Sequence, residues 1–191
     1  MCGRYYVDDE TSREIRKILE QLDSTSLSSS TYKKGEIFPT EKVPVITGDN
    51  NNIKPDVYKW GYPGFNNKGV LINARSETVT EKRTFRDSIL NRRCIIPANG
   101  FYEWDKDKNK YYFQRNEFDI IYLAGFYQNI NNENHFMILT TAANDSMSDI
   151  HHRMPLILEQ REIDDWIFDN QSIEFILNKI SPALVREKTN K

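Results

Sequence analysis

Cysteine is scarce in this chain. Two in 191 residues, Cys2 and Cys94, exclude a disulfide framework and a zinc site built on thiolates. Long apolar runs are missing too. No stretch approaches the roughly 18 residues that span a bilayer, and no signal-peptide core stands at the N-terminus. The expectation is a reduced, cytoplasmic protein with no membrane partner. An excess of one charge is also absent. Twenty-six basic residues face twenty-eight acidic ones, for a formal net charge of −2. Whole-molecule electrostatics therefore announce no nucleic-acid partner, and any such site must be a local basic patch. Neither a repeat nor a low-complexity linker breaks the chain, so one domain over residues 1–191 is expected. Histidine is limited to three residues, and no clustered ligand set suggests a metal or another cofactor. A monomer is expected.

Aromatic residues, by contrast, are plentiful: ten Tyr, ten Phe and three Trp. They can build a core or offer stacking surfaces. Apolar residues at 38% and charged ones at 28% describe a folded chain, not a disordered one. Thr11 and Glu14 have capping-box spacing, and Ile15, Ile18, Leu19 and Leu22 recur at helical spacing, which predicts a helix over 12–22. A polar, Ser-rich loop follows over 23–36. Strands are expected at 43–47 and 53–60 around the turn Gly48–Asn52, then near 94–97, 100–104, 110–115, 120–127 and 135–141. Two short helices are expected over 162–168 and 172–180, and residues 185–191 read as a frayed polar end. The pattern predicts an α+β domain. Its sheet is strongly bent, mostly antiparallel and partly barrel-like, with a few peripheral helices.

The second residue organises the chemistry. Removal of Met1, which a side chain as small as that of Cys permits, would place an α-amine beside the Cys2 thiol. That amine has an ordinary pKa of about 7.7–8.0 and the thiol one of about 8.5. Such a 1,2-aminothiol either attacks an amide or ester as a thiolate, or captures an aldehyde as an imine that the thiol closes to a thiazolidine. The plain alternative is that Cys2 is an ordinary second residue.

Other stretches offer candidates, each with a bland counterpart. Trp60-Gly61-Tyr62-Pro63-Gly64-Phe65 is either a packed turn or an aromatic rim to a cleft. Asn73-Ala74-Arg75-Ser76-Glu77-Thr78 ends a short strand, where site residues often lie. Lys82, Arg83, Arg86, Arg92 and Arg93 form either a solvated face or a phosphate-facing patch. In Gly100–Trp104, alternation sets Phe101 and Glu103 on one face and Tyr102 and Trp104 on the other. Glu103 is then either exposed or a desolvated carboxylate suited to proton transfer. His151-His152-Arg153-Met154-Pro155 places two histidines beside a cation, while Cys94 and His135 read as structural.

Taken in order, Cys2-Gly3-Arg4, Trp60-Gly61, Asn73 through Thr78, the run Cys94–Trp104, Thr140–Ala143 and His151–Pro155 resemble the SRAP family, the SOS-response-associated proteins that process abasic sites in DNA. The resemblance spans residues 2 to about 158. It implies a thiazolidine cross-link between Cys2 and an abasic site in single-stranded DNA, made without metal. By the same resemblance, Asn73 orients the Cys2 amine, Glu103 helps open the sugar to its aldehyde, and His151 shuttles protons. Arg4, Arg75 and Arg153 would contact DNA, with Trp60, Tyr62 and Phe65 in the stacking region. The chain departs from the family at Glu36-Ile37-Phe38-Pro39-Thr40, where an Asn-Val-Ala-Pro run is common. It also stops at Lys191 without the His-Pro or Pro-Val-Ser segment that many members carry past the final helices.

Three other functions compete. An N-terminal-nucleophile amidotransferase also begins Met-Cys-Gly, but leaves the basic cluster and the aromatic turn without a role. A thiol peptidase would use Cys2, Glu103 and His151, and self-removal of Met1 could coexist with DNA capture. A non-catalytic single-strand-binding module would use the same cleft without covalent chemistry.

Overall fold

Alternating side chains and asparagine turns shape most of the architecture. The computed structural model describes residues 2–8, 13–24, 32–64, 66, 68–116 and 120–189. Strand β1 (Arg4–Val7) buries Tyr5 and Val7 and turns Arg4 and Tyr6 outward. Helix α1 (Arg13–Ser24) buries Ile15 and Leu19 at helical spacing; Thr11, its expected cap, lies outside the described residues. Strand β2 (Gly35–Ile37) ends the stretch expected as loop. Strands β3 (Lys42–Asp49) and β4 (Asn52–Trp60) form the predicted hairpin, longer than expected. Asn50 and Asn51 at its tip both adopt positive φ, 48° and 61°, as a type I′ turn requires.

Short strands β5 (Tyr62–Pro63) and β6 (Val70–Leu71) pair with each other, and β7 (Asn73–Arg75) leads into a 3-10 turn at Ser76–Thr78. Helix α2 (Arg83–Asn91) then delivers β8 (Arg93–Ala98), buried at every position. Next come β9 (Gly100–Trp104), β10 (Lys110–Gln114), β11 (Ile121–Ile130) and β12 (Glu133–Ala142). After them stand β13 (Arg153–Pro155), β14 (Ile157–Leu158), α3 (Ile163–Phe168) and α4 (Ile173–Leu177). The last element corrects an expectation. Residues 185–189 are not frayed: they form β15 (Val185–Thr189), paired along β10 from Lys110↔Thr189 to Gln114↔Val185.

The strands make two main sheets, and the fold is the expected α+β class. One runs β15-β10-β9-β1-β2. In the other, β12 pairs with both β4 and β11, so β12-β4-β3-β8-β11 closes into a small barrel. The described pairings are antiparallel except β12 with β4 and with β7. Closure removes most edges. Both faces of the barrel strands are buried: Ile95, Leu123, Met137 and Ile138 are all fully enclosed. Each contributes about 1.5–3 kcal/mol relative to exposure.

Arg93, one of the expected cationic cluster, is buried too, at 5% exposure, between β8 and the helices α2 and α3. It donates to the carbonyls of Ile89 (3.0 Å), Leu90 (2.8 Å), Ile167 (3.1 Å) and Trp166. These are carbonyls near the ends of α2 and α3 that the helices themselves leave unbonded. Arg92 pairs with Asp87.

Candidate functional site

The site assembles where the two sheets meet. Cys2 precedes β1 and is fully enclosed, at 0% exposure. Its carbonyl accepts a hydrogen bond from Asn73 Nδ2 at 2.8 Å, which ties the N-terminal segment to β7. Its sulfur lies 3.8 Å from the Arg4 carbonyl. Burial pushes the thiol pKa well up, and the nearby Glu103 carboxylate pushes it further. The thiol therefore rests protonated at neutral pH. Glu103 stands on the inner face of β9 at 5% exposure, the face it shares with Phe101, which decides between the exposed and the desolvated reading. Its Oε1 accepts from the Trp104 N–H at 3.3 Å.

Asn73 is held by its neighbours. In β7 it pairs with Ile138 of β12, while Trp60 Nε1 donates to the carbonyl of Ile72 at 3.2 Å. Two residues on, Arg75 is exposed at the strand end. β13 pairs with the same stretch of β12, with Thr140 facing both Arg75 and Pro155. The segment before β13 is pinned as well. Ala143 N–H donates to the His152 carbonyl (3.0 Å) and His151 N–H to the Met147 carbonyl (3.0 Å). Asn144 Nδ2 reaches the Ser181 and Pro182 carbonyls.

His151 is thereby fixed in a useful setting. Its Nδ1 lies 3.0 Å from the Arg153 N–H and 3.1 Å from the Arg153 carbonyl. One residue's backbone satisfies the ring with or without a proton on Nδ1. Its ring stacks on His152 at 4.5 Å. Partial desolvation holds His152 below the ordinary imidazole range, followed by His151 and the cations Arg153 and Arg75.

Several expected DNA contacts sit elsewhere. Trp60 is a core residue at 0% exposure, edge-on to Tyr5 at 5.1 Å and stacked on Phe136 at 6.4 Å. Tyr62 is 4% exposed, against Phe85 and Phe126. Neither offers a face to a base, because Tyr5 and Phe136 enclose Trp60, and Phe85 and Phe126 enclose Tyr62. Trp60 supports the site from behind, through its bond to the Ile72 carbonyl. Phe65 lies outside the described residues. Arg153 is 8% exposed and bidentate to Glu77, at 2.6 and 2.9 Å, and also donates to the Thr140 carbonyl. It braces the His151 segment against the turn after Arg75, with no free fork for a phosphate.

Arg4 does face solvent, on the outer side of the five-stranded sheet. Its guanidinium lies over Phe38 (4.3 Å) and Trp104 (5.1 Å) and pairs with Glu36 at 3.2 Å. Glu36, Phe38, Trp104 and Lys110 were not among the candidates read from the sequence. For Trp104, the alternation in Gly100–Trp104 was the available signal. Among the described residues, no cluster of three His, Cys, Asp or Glu could hold a metal, and no helix is long and apolar enough to cross a membrane.

The sequence model of the SOS response associated peptidase (SRAP) family matches residues 1–187. The chain belongs to the SRAP family. It is 31% identical over 183 residues to the abasic site processing protein YoqW of Bacillus subtilis (strain 168), covering 87% of this chain and 80% of that one. It is 27% identical to the abasic site processing protein YedK of Escherichia coli (strain K12), covering 87% and 79%. A crystal structure of a protein from Bacteroides thetaiotaomicron superposes with a TM-score of 0.81 at 24% identity, covering 99% and 92%. The last likeness concerns the fold. In this SRAP chain the thiol, a carboxylate and a carboxamide share one buried corner. Arg75 and the two histidines stand at the neighbouring strand ends.

Proposed function

We propose that this protein captures abasic sites in single-stranded DNA as a covalent adduct of Cys2, shielding the lesion in the DNA damage response. The observation that carries the reading is the corner in which Asn73 holds the Cys2 backbone while Glu103 flanks a protonated Cys2 thiol. The relatives' names as abasic site processing proteins point to the substrate.

The chemistry follows from the groups present. Once Met1 is gone, the Cys2 amine attacks C1′ of the ring-opened sugar and forms an imine with loss of water. The thiol then adds across the C=N bond: sulfur bonds to carbon, and the thiol proton ends on nitrogen. Glu103 serves the proton transfers of ring opening and can accept the thiol proton as sulfur attacks. His151, with a backbone donor and acceptor both within reach of Nδ1, serves the carbinolamine step. Asn73 fixes the direction of attack, and Arg75 neutralises a flanking phosphate.

A peptidase reading, including self-removal of Met1, would use the same residues but needs a thiolate first. A thiol raised by burial and by a neighbouring carboxylate is a poor resting thiolate. Attack by the amine avoids that demand, which favours aldehyde capture.

The test is a denaturing gel with a single-stranded abasic oligonucleotide and protein whose mass shows that Met1 is absent. A heat-stable adduct is expected from the wild type and from Cys94→Ala. Cys2→Ala should yield at most an imine trapped by borohydride, and Met1-retaining protein no stable adduct. Equal heat-stable yield from Cys2→Ala, or none from the mature wild type, would overturn the proposal.

A further inference from the structure

The outer face of the five-stranded sheet carries a feature that this chemistry leaves unused. Two cations converge there on one carboxylate. Arg4 reaches Glu36 Oε2 at 3.2 Å, and Lys110 Nζ reaches Oε1 at 2.6 Å. Partial burial raises the Glu36 carboxyl, but Lys110 and Arg4 outweigh it and hold it below the ordinary range. Glu36 does not have to orient either cation. Phe38 and Trp104 already sandwich Arg4, and Lys110 sits 3.9 Å from the Tyr102 ring centroid. The Glu36 side chain is 33% exposed, on a three-residue strand at the sheet edge.

Around this triad the face is tiled with half-buried rings. Tyr102 and Tyr112 lie 5.0 Å apart, and Tyr6 meets Tyr112 edge-on at 6.5 Å. Gly100 makes room for the tiling. A Cβ there would stand 2.4 Å from Tyr112 Cζ, so the ring lies over bare backbone. Exposed Phe38, at 40%, closes the row beside Arg4. Cations set among half-buried rings suit a single strand: phosphates take the charge, and bases can stack on the ring surface left open, Phe38 above all.

We infer that Arg4 and Lys110 form a phosphate subsite for a single DNA strand crossing this sheet face, and that Glu36 is its internal surrogate, displaced when the strand binds. The two Glu36 oxygens span the cations as two phosphodiester oxygens would. Cys2 is two residues from Arg4, and Glu103 adjoins Trp104, so a strand delivering its lesion to Cys2 can continue over this face. The inference rests on the function proposed above and adds a residue that restrains binding to undamaged strands. Glu36 must be expelled for each strand bound, so affinity is lower than the two cations alone would give.

The experiment measures fluorescence anisotropy of a labelled, lesion-free oligo-dT of about 20 nucleotides at several salt concentrations. Wild type is compared with Glu36→Gln, Lys110→Gln and the double variant. Glu174→Gln, exposed on α4 and outside this sheet, controls for the mere loss of a negative charge. Glu36→Gln should tighten binding about 3–10-fold, clearly beyond Glu174→Gln. Lys110→Gln should weaken it by a similar factor and make the salt dependence shallower by about 0.7 in log–log slope, the share of one single-strand phosphate. In the double variant most of the gain from Glu36→Gln should vanish.

Unchanged or weaker binding by Glu36→Gln, or a gain no larger than that of Glu174→Gln, would overturn the inference. An unchanged slope for Lys110→Gln would do the same. If Lys110→Gln fails to fold, the comparison of Glu36→Gln with Glu174→Gln decides alone. The same wild-type sample is run against an abasic oligonucleotide. An adduct with flat anisotropy results sinks only this inference, whereas no adduct from mature protein sinks the function beneath it.

Discussion

Two cysteines in this protein are equally buried, and their surroundings differ. Cys2 and Cys94 are both at 0% exposure, and burial raises both thiols well above the ordinary range. For Cys94 burial is the sole cause, in a strand enclosed on both sides by β3 and β11. For Cys2 a carboxylate adds to it, and a carboxamide grips its backbone. Desolvation by itself makes a thiol inert. A buried thiol becomes a candidate reagent only when groups that can move its proton and orient its neighbours are buried with it.

The sharpest way to press that comparison is to neutralise the carboxylate. Glu103→Gln removes a proton acceptor beside Cys2 and leaves Cys94 untouched. Cross-linking at saturating abasic DNA should slow about 10²–10⁴-fold, the usual worth of a positioned acid–base group. Alkylation by iodoacetamide should move the other way at Cys2, because one cause of its raised pKa is gone, and stay constant at Cys94. The two sites are read separately by peptide mass. Equal alkylation changes at both cysteines would mean a general loosening, and the special company of Cys2 would lose its meaning.

A smaller effect concerns the scaffold behind that company. Glu77→Ala leaves Arg153, at 8% exposure, with carbonyl and hydroxyl partners alone. Arg153 is buried but the Glu77 side chain is 44% exposed, so loss of the pair should cost about 1 kcal/mol in urea unfolding. Cross-linking should fall as well, because the His151 segment is braced by that pair, while Cys2 alkylation should not change. The sign with pH is fixed by Glu77. Arg153 is the main cause holding its carboxyl below the ordinary range. The pair's contribution is therefore present above about pH 4.3 and lost as pH falls further. Wild type and Glu77→Ala should converge in stability toward pH 3.

How much of this was legible beforehand depended on the range of the contact. Glu103 could be set on one face with Phe101 because alternation in Gly100–Trp104 is local, though not which face turns inward; the asparagine turns were legible for the same reason. Trp60 and Tyr62 misled, because an aromatic turn has the same composition whether its rings face in or out. The deciding contact is β4 against β12, with Trp60 opposite Phe136. Arg153 beside two histidines looked like a phosphate contact until Glu77, 76 positions away, was seen to hold it. The polar tail 185–189 became β15 because main-chain pairing along an edge needs no apolar side chains. The Arg4–Glu36–Lys110 triad joins three strands and leaves no mark in any one of them.

The smallest effect tests the half of the comparison in which the cysteines are alike. A thiol with a raised folded pKa stabilises the fold below its unfolded pKa, about 8.5, and that contribution is lost as pH rises toward the folded value. Between pH 8 and 9.5 each buried thiol should take about 1 kcal/mol from stability. The buried tyrosines Tyr5, Tyr58 and Tyr62 and the half-buried Tyr112 act in the same direction but from a starting pKa of about 10. The tyrosines are common to wild type and variant, so the difference between the two curves isolates each cysteine. Urea unfolding under reducing conditions should show Cys94→Ala less stable at pH 8, by about 1–2 kcal/mol for the cavity, yet flatter with pH by about 1 kcal/mol. Cys2→Ala should flatten the curve by the same amount, although it alone abolishes the adduct. If only Cys2→Ala flattens it, Cys94 is not sealed and the two thiols never were equivalent in burial. If neither does, the raised thiols are not a property of the folded protein, and amine-first capture loses its physical basis.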